Sequence, residues 1–455
     1  MDIPGFKNGK VIEFSETDPF EILLTEYRSP EFIKKVCFNL ERLIHYKLNK
    51  YQTIYESLIS DILKQERQLS LLSEKERDDT ADRFLLISNK TSLGRIREIM
   101  DKAIALKCVF LQDQWPDYIR KNMSPAVLGT RRAIVGHQGA TAKETFETYI
   151  KNSLSSIIHD PLGFPLLDSE ARQSLKSSVA RVVLSLGSTF EIFLNKYLNF
   201  VLMGSPGVGK TTAAQSIGFI MGSILILLEG SFKSYTPSDF TAQFEGQSSA
   251  KTRSLLIDGL ENIIFLDEAY GLINCSAAAS RSYGIDVINE MVDFMSKYRG
   301  LYVFIIAGYE DPIKNCFLKS NEGLQRRFDE TLRFTLKNYN IHELIIIFME
   351  SIDLRAIQLY DHEVFRLQNA IKKIFKENLF PNSAADIISL SDSLSTAIGT
   401  NYETFSALMP SNIELLKKYY LVRLSILKTG LDLYLKPRNF QVTIEKNFIF
   451  TLQKK

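Results

Sequence analysis

Between residues 43 and 72 the apolar side chains fall at Ile44, Leu48, Tyr51, Tyr55, Leu58 and Ile62, in steps of four and three. Such steps put them on one face of a helix. The next position in the series is Gln65 and the repeat is short, which favours a helix packed in a small bundle over a coiled-coil seam. A second helix is predicted from about Ser92 to Leu111 through Ile96, Ile99, Ala103 and Leu106. The pattern lapses from Asn122 to Thr141, where Pro125, Gly129, Gly136 and Gly139 mark a linker, so a helical N-terminal domain is placed at 1–140. Helical spacing returns after Thr141 to about Ile158 and again from Asp168 to Leu186.

Short apolar runs then alternate with helices: Asn199–Met203, Ile224–Leu228, Ile263–Leu266, Tyr302–Ala307 and Thr331–Phe334. Alternation of this kind predicts an α/β fold, a five-stranded parallel sheet with flanking helices over 141–338, with ligand at the strand C-terminal ends. Asn340 and Glu343 have capping-box spacing and open a helical C-terminal lid with its extension, 339–455. Within it, Phe440 to Leu452 alternates apolar and polar residues as a short hairpin does.

A chain of 455 residues suggests about three domains, and 45% hydrophobic with 24% charged is ordinary globular composition. The net charge of +2 gives no general case for nucleic acid or an anionic membrane. Cys37, Cys108, Cys275 and Cys316 have no metal-ligand spacing and read as reduced thiols. The five histidines are equally scattered. With no secretory start and no apolar run of membrane-spanning length, a soluble cytoplasmic protein is expected.

The chemistry concentrates after the first strand, in Gly204, Ser205, Pro206, Gly207, Val208, Gly209, Lys210, Thr211 and Thr212. Closely spaced glycines let successive backbone N–H groups curl around phosphates, Lys210 supplies a point charge and the Thr211 hydroxyl a Mg2+ ligand. A helix opening near Lys210 adds the positive end of its dipole. Ile263 to Leu266 then ends in Asp267 and Glu268. Asp267 would hold the Mg2+ water shell, while Glu268, pointing the other way on an extended backbone, would deprotonate the attacking water.

Six motifs in order resemble the AAA+ ATPases, in particular the CbbX-like and sporulation stage V protein K group. They are Gly204–Thr212, Phe244–Thr252, Phe265–Tyr270, Tyr283-Gly284 leading into Val287-Ile288, Ala307–Tyr309 and Asn321–Phe328. The resemblance implies an ATP-binding, ATP-hydrolysing ring, usually a hexamer, with Arg327 and its helper Arg326 as a finger reaching a neighbour's γ-phosphate. It implies a pore loop at Phe244 and Gly246 that grips a polypeptide client, and a residue near the γ-phosphate at Tyr309. Four positions depart from the pattern: Glu245 stands where the pore loop has an apolar residue, Tyr309 where many members have a polar sensor, and Ala384 and Ala385 where the lid offers an arginine.

The expected function is therefore an oligomeric Mg-ATPase that remodels or translocates a protein client. The alternatives are a nucleotide-dependent assembly factor, against which Glu268 argues, and a nucleic-acid motor, against which the neutral charge argues.

Overall fold

The computed structural model describes residues 19–71, 81–112, 142–159, 170–188, 198–240, 247–273, 283–355, 361–400, 425–444 and 450–454, with 6–7, 10–11, 190, 194 and 359. Packing divides the chain into two compact units: 1–166 with 170–203 and 210–335, and 167–169 with 204–209 and 336–455. The linker and boundary expected before residue 141 lie outside the described residues.

The first unit is built on five parallel strands, β1 (Asn199–Met203), β2 (Phe232–Tyr235), β3 (Ile263–Leu266), β4 (Val303–Gly308) and β5 (Arg333–Thr335), in the order β2-β3-β4-β1-β5. Every residue of β1, β3 and β4 is buried, as strands covered by helices on both faces must be. The chain leaves β1 towards one edge and β4 towards the other, which makes the ends of these neighbours the crevice where open α/β sheets take ligand.

Helix α1 (Pro30–Ser70) starts with a Ser29 cap on the Phe32 N–H and a proline in its first turn. It contains the predicted apolar face: Ile44, Tyr51, Leu58, Ile62 and Gln65 are buried. It packs against α2 (Ala81–Gln112), where Asn89 Nδ2 donates to Gln65 Oε1 at 3.1 Å. Both helices share one apolar core with the sheet, Ile44 and Ile99 clustering with Phe200 and Ile264. Helices α3 (Ala142–His159), α4 (Glu170–Leu186), α5 (Lys210–Ser223), α6 (Gln247–Asp258), α7 (Tyr283–Lys297) and α8 (Glu322–Arg327) belong to the same unit.

The run Ile224–Leu228 is not a strand. It is fully buried, but Leu225 takes a left-handed φ of 61° and the edge strand forms further on, at Phe232–Tyr235. The reason is that the run's backbone groups are met by distant side chains instead of by a ladder. Lys47 Nζ donates to Ile226 O at 2.8 Å, and Leu228 N–H donates to Glu261 Oε2 at 2.9 Å. Lys47 also pairs with Glu261, which accepts from the Tyr51 hydroxyl, and all three are buried.

Beside it, Arg95 and Lys102 of α2 grip Glu229, which also accepts from Asn262 Nδ2 at 2.8 Å. Burial opposes the charge of Glu229, yet Arg95, Lys102 and Asn262 hold its carboxyl down to about 2.

A cation lost from such a pair leaves its carboxylate buried and uncompensated, at about 3–5 kcal/mol. Lys47→Met is therefore expected to lower stability to denaturant by about that much, and Lys47→Met with Glu261→Gln to recover most of it. Urea unfolding followed by helicity reads both, and equal loss in the single and double variants would contradict the pairing.

In the second unit Asn340 Oδ1 accepts from His342 N and Glu343 N at 2.9 and 3.0 Å, and Glu343 Oε2 accepts from Asn340 N at 2.8 Å. This reciprocal box opens α9 (Ile341–Leu354) as expected. Helices α10 (Asp361–Lys376) and α11 (Ala384–Thr400) and the antiparallel hairpin β6 (Phe440–Ile444) and β7 (Phe450–Lys454) enclose a separate core around Phe348, Ile371, Leu390 and Val442. Among the cysteines, Cys37 is a buried thiol and Cys316 is disulfide-bonded, which departs from the expectation of four reduced thiols.

Candidate active site

Lys210 is the first residue of α5, and Asp267 directly follows β3, its N–H donating to Tyr235 O at 2.9 Å. Burial pushes the Lys210 ammonium below its ordinary pKa, while the carboxylates of Asp267 and Glu268 pull it back up. The cation from the helix start and the two acids from the strand end thus share one electrostatic environment. Thr211 and Thr212, next on α5, are exposed.

Glu268 does not continue the extended backbone. It sits in the left-handed region at φ 49°, ψ 41°, its N–H donating to Asp267 Oδ1 at 3.0 Å and its carbonyl accepting from Gly271 N at 2.7 Å. For a residue with a Cβ this costs about 1–2 kcal/mol, the kind of local strain that collects at working sites. The turn puts the carboxylate in solvent rather than against the opposite sheet face.

Tyr309 follows β4 and is 45% exposed, its ring centroid 6.1 Å from that of Tyr270. A Cβ on Gly308 would lie 2.7 Å from a Tyr270 ring carbon, so glycine there admits the ring. Burial and then the nearby Glu268 charge raise the Tyr270 phenol.

Arg326 and Arg327 end α8, whose start Asn321 caps by accepting from Gly323 N and Leu324 N. Their settings differ. Arg327 Nη1 donates to Gly323 O at 2.8 Å and Nε to Ser296 Oγ at 3.1 Å. The Arg326 side chain is 79% exposed and has Glu322 one turn back at 3.5 Å, a surface pair of little strength. Phe244 and Gly246 lie outside the described residues.

The loop itself belongs to the second unit. Gly204, Gly207 and Gly209 have φ of 145°, 74° and 85°, values that side chains oppose. Val208 is buried between them, Pro206 is exposed, and Ser205 Oγ donates to Asn338 Oδ1 at 3.1 Å. Such a backbone fits a phosphate cradle, in which donors and not side chains line the inner wall.

Residues 200–336 match the family described as "ATPase family associated with various cellular activities (AAA)". They are an AAA domain. It runs from Phe200 in β1 to Leu336 just beyond β5. An AAA domain is an ATPase-family domain that binds ATP.

The chain is also similar to the ESX-2 secretion system protein EccA2 of Mycobacterium tuberculosis, 35% identical over 170 residues, 37% of this chain and 27% of that protein. Stage V sporulation protein K of Bacillus subtilis is 30% identical over 177 residues, 39% of this chain and 53% of that protein. The matches therefore span about a quarter to a half of these relatives' lengths. One chain of the E. coli HORMA:CdnC:Trip13 complex aligns with 49% of this chain and 72% of its own, at 15% identity and a TM-score of 0.33.

Sequence reasoning missed three contributors. Tyr270 was visible only as the end of a motif, with nothing to show that its ring crosses Gly308. Asn338 and Tyr339, between β5 and the capping box, carry no signal that they approach the AAA loop.

Proposed function

We propose that this chain binds Mg-ATP and hydrolyses it as an oligomeric ring, a hexamer as is usual in the family, that remodels or translocates a protein client. The observation that carries the reading is Lys210, half-buried at the start of α5, in the field of Asp267 and Glu268 at the end of β3. A ligand rich in negative charge that brings a cation of its own suits both, its phosphates meeting the ammonium and its cation the acids.

In this reading the amides from Gly204 to Gly209 and the Lys210 ammonium hold the phosphates. Ser205, Pro206, Val208 and Thr212 shape that cradle, and Thr211 and Asp267 hold the Mg2+, which offsets charge on the phosphate oxygens. Glu268 accepts the proton of the attacking water. Tyr309, just after β4, is the residue assigned to the phosphate end of the site.

Arg327 and Arg326 act in a neighbouring subunit's site, where a guanidinium stabilises charge spread over the transferred phosphoryl group. Arg326 is already exposed, and Arg327 must release Ser296 to take that part. Phe244 and Gly246 are the segment assigned to the client. One of the relatives above is named for a secretion system and the other for sporulation. The matches cover 37% and 39% of this chain, so no client is carried over.

Steady-state ATPase measured against protein concentration, with particle mass in ATP, tests the reading. Activity per subunit should rise as a larger particle forms. ATP bound with no turnover at any concentration would favour the assembly-factor reading instead. The finger has its own test: a variant with Arg326→Ala and Arg327→Ala should retain ATP yet lose at least about a thousandfold in turnover. Mixing it with Lys210→Ala protein should restore part of the activity, and no recovery would place both arginines outside the shared site.

A further inference from the structure

Every glycine of the phosphate loop is closed upon by the lid or by the segment leading into it. A Cβ on Gly204 would lie 2.4 Å from Leu336 O, one on Gly207 1.7 Å from Asn382 O, and one on Gly209 2.4 Å from the Tyr339 hydroxyl oxygen. Bonds join the same parts: Ala384 N donates to Gly207 O at 3.1 Å and Ser205 Oγ to Asn338 Oδ1 at 3.1 Å. The glycines therefore serve two faces of the loop. One curls amides around phosphate, and the other lets the lid backbone come within contact distance.

The lid side of this contact is braced. Tyr339 N donates to the hydroxyl of Ser383 at 3.2 Å, and Ser383 is buried with φ 52° immediately before α11. Asp386, in the first turn of α11, accepts from Asn382 N at 2.6 Å and pairs with Arg438 at 2.7 Å. Tyr339 and Ala384 belong to the lid core. A shift of the loop backbone at Gly207 or Gly209 is therefore felt by Ala384, Ser383 and Tyr339 without any side chain reaching a phosphate.

We propose that the lid reads nucleotide through the backbone of the phosphate loop, with Tyr339 and Ser383 as the positioning residues, and that it registers occupancy rather than the γ-phosphate. Ala384 and Ala385 have only methyl side chains, so neither offers the lid a charged group with which to tell ATP from ADP. A loop whose amides cradle phosphates common to both nucleotides responds to either one. The inference rests on the nucleotide-binding reading above.

The test uses the full chain carrying Glu268→Gln, so that ATP persists, and measures Kd for ATP and for ADP together with amide hydrogen exchange across 384–400. Both nucleotides should protect these amides to the same degree. Ser383→Ala, which removes the acceptor of the Tyr339 N–H, should weaken ATP and ADP binding by the same factor, about three- to tenfold for one lost hydrogen bond, and Tyr339→Phe, which removes the hydroxyl lying against Gly209, should also weaken both nucleotides equally; each should reduce lid protection at saturating nucleotide.

Protection by ATP alone, or variants that bind and protect like the parent, would overturn the inference while leaving nucleotide binding in place. Failure of the parent to bind either nucleotide would instead overturn the functional reading on which it stands. Thermal unfolding of each variant separates the equal-factor loss from a lid that has simply melted, since a melted lid would show no protection at any nucleotide concentration and a lost unfolding transition.

Discussion

Lys210→Ala is expected to lose ATP and ADP together. Charge-assisted hydrogen bonds contribute about 1.5–3 kcal/mol each, so two from the ammonium to phosphate oxygens account for roughly 3–6 kcal/mol, two to four orders of magnitude in Kd. The fold should survive, because Lys210 is a half-buried first residue of α5 whose ammonium is opposed by burial. Titration of a fluorescent ADP analogue, beside a circular dichroism spectrum, reads both quantities. A folded variant with parental affinity would remove the loop from the nucleotide site.

Glu268→Gln separates binding from chemistry. The amide has nearly the carboxylate's shape and the same backbone requirement at φ 49°, so the turn through Asp267 and Gly271 is kept. It cannot take a proton at neutral pH. Loss of a positioned base costs about 10²–10⁴ in rate, so turnover should fall by that factor while ATP stays bound. Single-turnover hydrolysis with purified variant is the direct measurement, and a rate within threefold of the parent would transfer the base role to another group.

The loop's shape was legible in the sequence because its spacing encodes backbone geometry: Gly204, Gly207 and Gly209 are the positions with positive φ. The strand Ile263–Leu266 was legible for a similar reason, since four apolar residues running into two acids can be buried only up to the acids. Ile224–Leu228 misled because it is just as apolar. What decides its conformation is Lys47 and Glu261, far away in the chain, and hydrophobic periodicity carries no information about such partners.

For the same reason Lys47 went unnoticed on the apolar face of α1. Glu268 was expected on an extended backbone, and only the Glu268–Gly271 bond shows that the chain turns there. The differing settings of Arg326 and Arg327 depend on Ser296, thirty residues earlier, and could not be read from two adjacent arginines.

The buried and half-buried ion pairs at the foot of β3 also have a mechanical meaning. Lys47 and Tyr51 hold Glu261, and Arg95 through Glu229 holds Asn262, the two residues immediately before the strand. Four residues and about 13 Å further on stand Asp267 and Glu268. A strand clamped between neighbours is stiff along its length. A tug on α1 or α2 therefore acts on the strand whose far end carries Asp267 and Glu268, the two acids of the candidate site.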